Sequence, residues 1–299
     1  MSVSDYNKAR SPISSAQAQS EDLTPRDESN ACTRIEFVDI TEKERPGGEH
    51  PIVTLTSSIN RAKEDNGRYS EYALRLIRKV DKDGDATSTE LEIRSPILRQ
   101  ILRTILASYS FLNLAADPIV IKKPYDALFH FRHEIREYYE APERTDEEKQ
   151  HLKVLLDPFI KLHISPTEKI YQEDIPKGRI RFSLLWTLFR AEDDVIYQTE
   201  YFSQIYRVVH CEEKMDKDTD EPYFLMHVWR WGYNAGKFGP AAETLRIPYF
   251  SSTRSITQLV LFPMKYLSQQ DREKLYRRIV QRGHNWRRLI KPAHRQYDG

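Results

Sequence analysis

Asp81, Asp83, Asp85 and Glu92 stand at positions 1, 3, 5 and 12 of the stretch DKDGDATSTELE. That is the spacing of the side-chain ligands in a helix–loop–helix calcium site. Three features of the same stretch oppose this chemistry. Position 6 holds Ala86 where the sharp turn needs glycine, and position 8 holds Ser88 where paired loops place an apolar residue. The helix-start signal Ser95-Pro96 follows Glu92, although the exiting helix should already contain the last ligand. No second loop of this kind accompanies it. An exposed acidic hairpin turn is the better reading, with calcium binding as the weaker alternative.

Other stretches invite the same test. GYNAGKFG (Gly232–Gly239) has the composition of a phosphate-binding loop, but three residues instead of four precede its Gly-Lys pair, and Phe238 stands where a hydroxyl would hold Mg²⁺. A glycine-rich β-turn accounts for it better. HFRHE places His130, His133, Glu134 and Glu137 on one helical face, opposite Leu128, Ile135 and Tyr139. That order matches neither zinc-protease signature and lacks a third ligand, so a solvated polar face is expected. His210-Cys211, followed by two glutamates, carries no nucleophile signature, and there is no G-x-S-x-G elbow. The expectation is a protein that is not an enzyme, with no assigned catalytic residue, metal ligand or cofactor.

One charge feature remains. Between Lys274 and Arg295 lie eight Lys or Arg residues and no Asp or Glu. Arg277, Arg278, Arg282, Arg287 and Arg288, interleaved with Trp286, could meet a nucleic acid backbone or an acidic protein surface. They could equally form a solvated helix face, or a face that meets a following domain. With Trp229 and Trp231, which in a β region are more often core than contact, they are the candidate partner-binding residues.

The elements that would position these residues can be read from periodicity. The 299-residue chain is 39% hydrophobic, enough for a core, and its 46 basic against 45 acidic side chains leave a net charge of +1. Two distant cysteines, no apolar leader and no long apolar run point to an intracellular protein, cytoplasmic or nuclear, neither secreted nor membrane-bound. Residues 1–68 read as a mostly disordered tail, in which RIEFVDI and PIVTL are isolated strands or docking segments. Residues 69–299 read as a single α+β domain. It opens with a hairpin, Tyr72–Val80 and Thr87–Ile93, and a helix capped by Ser95-Pro96. A second helix covers Tyr125–Tyr139, and a third begins with the Thr145–Glu148 capping box and carries Leu152, Leu155, Leu156, Phe159 and Leu162 on one face. A small antiparallel β region follows, a sheet or partly open barrel, from FSQIYRVVHCEEK, YFLMHVWRWGYN and ETLRIPYF. A C-terminal helix with a break at Gly283 ends the domain.

The order of these segments is itself distinctive. YALRLIRKVDKDG…TSTELEIRSPILRQILRTIL, ALFHFRHEI, GRIRFSLLWTLFRAEDDVIY, IPYFSSTRSITQLVLFPMKYL and RRIVQRGHNWRRLI…HRQYDG together resemble the N-terminal region of fungal AAA-type ATPases, over roughly Tyr69 to Gly299. In that family this region is a domain of unknown function, and the ATPase module lies downstream. Ala191–Asp194 departs from the family's Pro-Gly turn. The resemblance implies a non-catalytic recognition or regulatory domain that engages a protein partner, a substrate or a downstream motor. Nucleic-acid or acidic-partner binding through the basic helix is the alternative.

Overall fold

A computed structural model of the chain describes residues 32, 34–44, 51–56, 69–109, 111–200, 202–234 and 237–289. Of the expected tail, residues 1–68, all but 32, 34–44 and 51–56 lie outside them, as do Lys291 and Arg295. Two five-stranded sheets and six helices share one main core, with a further two-stranded sheet beside it.

The first sheet has the order β2-β1-β3-β4-β5, formed by β1 (Arg34–Lys43), β2 (Ile52–Leu55), β3 (Tyr72–Val80), β4 (Ala86–Ile93) and β5 (Ile119–Lys122). RIEFVDI and PIVTL are therefore integral strands, so the sheet reaches back well before Tyr69. β1 runs parallel to β3, and β2 antiparallel to β1. Alternation divides the apolar side chains between two faces. Leu74, Leu76, Leu91, Ile93, Ile119 and Ile121 enter the main core, while Val38, Ile40, Val53 and Ile77 form a small second cluster.

α1 (Pro96–Ile105) begins as its sequence dictates: Ser95 Oγ accepts from Leu98 N at 3.1 Å, proline occupies the first turn, and Leu98, Ile101 and Leu102 are buried. The expected second helix is broken at Phe131 (φ −106°, ψ 15°) into α2 (Asp126–His130) and α3 (Arg132–Glu140). α4 (Asp146–Val154) carries the full Thr145–Glu148 capping box. Beyond it the chain changes winding. Pro158 has no N–H to give an α-helical ladder, and Leu155–Ile164 widens to a π-helix in which Ser165 N–H reaches Ile160 O, five residues back. The altered period buries Phe159, Ile160 and Ile164 and turns Leu162 outward, 63% exposed, where a regular helix would have aligned it with Phe159.

α5 (Ser165–Asp174) contributes Glu168, which α3 grips. Arg132 Nε donates to Glu168 Oε1 at 2.8 Å, and Arg136 donates to both carboxylate oxygens at 3.2 and 2.9 Å. The Arg132 guanidinium also sits 4.3 Å from the centroid of the Phe129 ring.

After a short β6 (Arg179–Arg181) come β7 (Asp194–Gln198), β8 (Ser203–Met215), β9 (Pro222–Asn234), β10 (Lys237–Pro248), β11 (Thr253–Ser255) and β12 (Leu261–Pro263). The second sheet is antiparallel with the order β10-β9-β8-β7-β12 and is not closed into a barrel; β6 and β11 pair separately. α6 (Gln269–Leu289) then runs unbroken through Gly283. The roughly 1 kcal/mol that glycine costs a helix interior does not interrupt it. The architecture is the expected α+β class, with β5, β6, β7, β11 and β12 added to what periodicity indicated.

The clamp on Glu168 sets an acid-stability prediction. Hydrogen bonds from Arg136 first, and from Arg132, hold its carboxyl at about 2, below the ordinary 4.5, against the opposing effect of burial. A carboxyl depressed in the folded state contributes stability above its unfolded value, and that contribution is lost as pH falls through the folded value. Glu168 should therefore cost the protein up to about 3 kcal/mol between pH 4.5 and 2. Urea denaturation across that range should show a shallower acid slope in Glu168→Gln; an unchanged slope would refute the assignment.

Candidate functional site: an aromatic and arginine cleft

The alternation of β9 creates the site. Phe224, Met226 and Val228 point into the core, so Trp229, Trp231 and Tyr233 line the opposite face. Trp229 and Trp231 meet edge to face at 5.9 Å and 80°. Register brings Phe238 of β10 directly across from Tyr233 and 6.4 Å from Trp231. The stretch Gly232–Gly239 thus belongs to the two ends of a hairpin, a strand-to-strand setting rather than the strand-to-helix setting of a phosphate loop. Ala235 and Gly236 lie outside the described residues.

α6 supplies the other wall. Leu275, Ile279, Arg282 and Trp286 recur at steps of four, three and four, one helical stripe. Leu275 is buried and Ile279 packs against the core. Arg282 donates to Ser203 O at 2.9 Å and to Gln204 Oε1 at 2.8 Å, tying the helix to the start of β8. Trp286 packs edge-on against Tyr233 at 5.1 Å and Phe238 at 5.6 Å. Between helix and sheet lies a cleft of ≈ 560 Å³, with Trp229, Trp231, Phe238 and Trp286 among its walls. Trp231 is 54% and Phe238 61% exposed. Large aromatics left in solvent side by side are the usual mark of a surface that binds something.

Most of the charge in this cleft is already matched. Arg207 lies 5.6 Å from the centroid of the Trp229 ring and donates twice to Asp194 Oδ1 at 3.1 Å. Arg230 donates to Glu243 Oε1 at 2.6 Å, and Tyr206 donates to Oε2 at 2.8 Å. Burial, with help from Glu243, pushes the Tyr206 hydroxyl up to about 12, so it remains a hydrogen-bond donor. The groups offered to a ligand are aromatic faces and guanidinium N–H, which suit stacking and anion recognition.

The structure thus gathers Trp229, Trp231, Arg282 and Trp286. It leaves Arg277, Arg278, Arg287 and Arg288 on the outer surface of α6. Arg277 pairs with Glu273 at 3.5 Å, whereas Arg278, Arg287 and Arg288 have no acidic partner among the described residues. Tyr233, Phe238 and Arg207 complete the cleft and were not singled out from sequence. Strand alternation from Trp231 would have found Tyr233, but Phe238 depends on the register across the turn.

The other sequence candidates fall elsewhere. Asp81 Oδ1 accepts the N–H groups of Asp83, Gly84 and Asp85 at 2.8–2.9 Å, closing the β3–β4 turn with Gly84 at φ +98°. Glu92 lies opposite Arg75, five residues before Val80, roughly 17 Å along the strand at about 3.3 Å per residue, and its Oε2 faces Arg75 and Arg94. The four carboxylates do not converge on one point. His130 is not on a solvated face. The break at Phe131 turns it inward, its Nε2 lies 3.0 Å from Trp186 O, and burial lowers its proton affinity to about 3. His133 stays exposed, and Glu134 accepts from Arg190 at 2.7 Å. Among the described residues no group of three or more His, Cys, Asp or Glu could hold a metal ion, and no helix is long and apolar enough to cross a membrane. Cys32 and Cys211 are both free thiols.

Against known families, residues 170–268 match the model of a domain of unknown function, DUF7025. The match begins within α5, covers the whole second sheet and stops just before α6. No curated protein and no solved structure matches the chain.

Removing the Arg282 side chain should loosen the helix wall and spare the core. Two lost hydrogen bonds at about 1 kcal/mol each predict at least about fivefold faster amide exchange over residues 279–289 in Arg282→Ala. Exchange at wild-type rates there would show that the bonds do not hold α6.

Proposed function

We propose that the chain is a non-catalytic recognition domain that uses the cleft between β9, β10 and α6 to grip an acidic, aromatic- or proline-bearing segment of a protein partner. The observation that carries this reading is the exposed cluster of Trp231, Tyr233, Phe238 and Trp286, bordered by arginines on α6. Extended segments rich in proline dock on such aromatic walls because little ordering entropy is lost. Arg278, Arg287 and Arg288, on the exposed face of the same helix, supply charge for acidic residues of the segment that extend past the cleft. The resemblance to the region preceding the motor in fungal AAA-type ATPases supports a role in presenting partners or substrates to such a motor inside the cell.

A nucleic-acid reading is less well supported by the charge pattern. Arg207 and Arg230 are already neutralised by Asp194 and Glu243, and the net charge is +1. A single-stranded nucleic acid would need aromatic stacking together with a continuous positive track.

Selection from a displayed random-peptide library, followed by fluorescence anisotropy, tests the choice. Acidic peptides bearing proline or aromatic residues should be enriched and should bind Trp231→Ala and Trp286→Ala at least tenfold more weakly. If no selected peptide distinguishes these variants, the proposal fails. If instead a labelled oligothymidine binds, with affinity collapsing between about 50 and 200 mM salt, the nucleic-acid reading replaces it.

A further inference from the structure

A second, larger cleft of ≈ 1240 Å³ opens between the two sheets and owes nothing to the aromatic cleft. At its floor three residues from distant parts of the chain converge. Tyr109 donates its hydroxyl to Asp126 Oδ2, and Ala127 N–H donates to Asp126 Oδ1 at 2.9 Å. His210 Nδ1 stands 3.8 Å from Asp126 Oδ2, too far for a hydrogen bond. It is buried and has no hydrogen-bond partner. Asp126 in turn has no lysine or arginine partner among the described residues.

The surroundings fix this arrangement. A bulge between Val208 and His210 shifts the register of β8, so Cys211 takes over the inward position and His210 faces the cleft. The ring of Phe111 stacks on His210, with centroids 3.4 Å apart and planes at 9°, yet Phe111 is itself 55% exposed. On the other side Tyr125 adopts φ 64°, ψ 38°, a left-handed conformation that bulky residues rarely take. Its buried ring, 4.9 Å from Phe159, keeps it there and fixes Asp126 beside it. Burial lowers the proton affinity of His210 more than Asp126 and Glu212 raise it, while His227 and Lys214 lower it further. The imidazole is therefore neutral near pH 7 and accepts at Nδ1 when its proton sits on Nε2. Glu212 is itself engaged, by Lys214 at 2.8 Å and His227 at 3.3 Å.

Two acceptors 3.8 Å apart can both be reached by one nitrogen at ordinary distances of about 2.9 Å, provided it carries at least two N–H groups. A positive charge on that nitrogen would match the Asp126 carboxylate, which accepts from Tyr109 and Ala127 but has no lysine or arginine partner among the described residues. We propose that this cleft binds a primary ammonium group carried on an apolar stem, the nitrogen bridging His210 Nδ1 and Asp126 Oδ2 and the stem lying along Phe111, Leu184, Trp186 and Phe224. The same chemistry can come from a free arylalkylamine or from the lysine side chain of a polypeptide.

Calorimetric titration of the full chain at pH 7 tests this with phenethylamine, its neutral isostere 2-phenylethanol, and Nα-acetyl-lysine amide. Phenethylamine should bind at least tenfold more tightly than the alcohol. Asp126→Asn should erase that preference. His210→Phe keeps the stack on Phe111 but removes the acceptor, and should weaken amine binding at least tenfold, which guards against Asp126→Asn simply failing to fold. Tighter binding of the lysine amide would identify a polypeptide as the source, and binding of phenethylamine alone a free amine. Equal binding of amine and alcohol, no binding of either amine, or wild-type affinity in a folded His210→Phe protein would overturn the proposal and leave the gap to a bridging water.

Discussion

β8 pairs antiparallel with β9 over Arg207–Met215 and Pro222–Trp229, and near Val209 one residue of β8 goes without a partner. That register slip decides what each end of the hairpin presents. Before it, Tyr206 and Val208 face the core; after it, Cys211 does, and His210 is released to the cleft between the sheets. β9 has no such slip, so Phe224, Met226 and Val228 bury in regular alternation while Trp229, Trp231 and Tyr233 stay outside. Both clefts hang on this one strand pair. A strand with a 2.0-residue period cannot shift by one residue without exchanging its faces, so the apolar demand of the core fixes the polar and aromatic residues as well.

The near balance of charge has a structural counterpart. Acids and bases are matched locally: Glu168 between Arg132 and Arg136, Arg78 with Asp39 at 2.8 Å, Arg207 with Asp194 and Arg230 with Glu243. Apart from the buried Glu168 clamp, exposed pairs of this kind add little to stability, but they strip the surface of long-range field. Two departures from the pattern bear on the clefts. The outer face of α6 keeps Arg278, Arg287 and Arg288 without acidic partners, and Asp126 sits in its cleft facing a neutral histidine.

Much of the fold was legible because its signals are local. Ser95-Pro96, the Thr145–Glu148 box, the Asp81–Asp85 turn and the apolar stripe of α1 each operate within a few residues, and each forms as its sequence implies. What escaped was non-local or contextual. The parallel pairing of β1 with β3 joins residues 37 or 38 positions apart, such as Phe37 with Leu74 and Arg34 with Tyr72, and leaves no mark in either segment. Leu162 was misplaced because Pro158 changes the helical period, and His130 because the helix breaks one residue after it. Gly283 passes unnoticed within α6, where the docked stripe from Leu275 to Trp286 outweighs its local cost. For the aromatic cleft, the tryptophans and Arg282 could be named from composition, yet their meeting depends on how α6 lies on the sheet. Tyr109, Asp126 and His210 have no spacing that could unite them in advance.

The matched family domain ends at residue 268, one residue short of α6. The helix beyond that boundary covers part of an aromatic face at the tip of an edge hairpin, since β10 is the outermost strand of its sheet. A chain cut at 268 would retain every strand of the domain yet lose Leu275, Ile279 and Trp286. Tyr233 and Phe238 would then lie bare beside unpaired backbone N–H and C=O groups, a combination that favours edge-to-edge association. Pro240, Pro248 and Lys237 on that strand blunt the edge but do not cover the rings. α6 is therefore a cover for part of the hairpin's aromatic face as well as a wall of the cleft, and it lies wholly beyond the matched boundary.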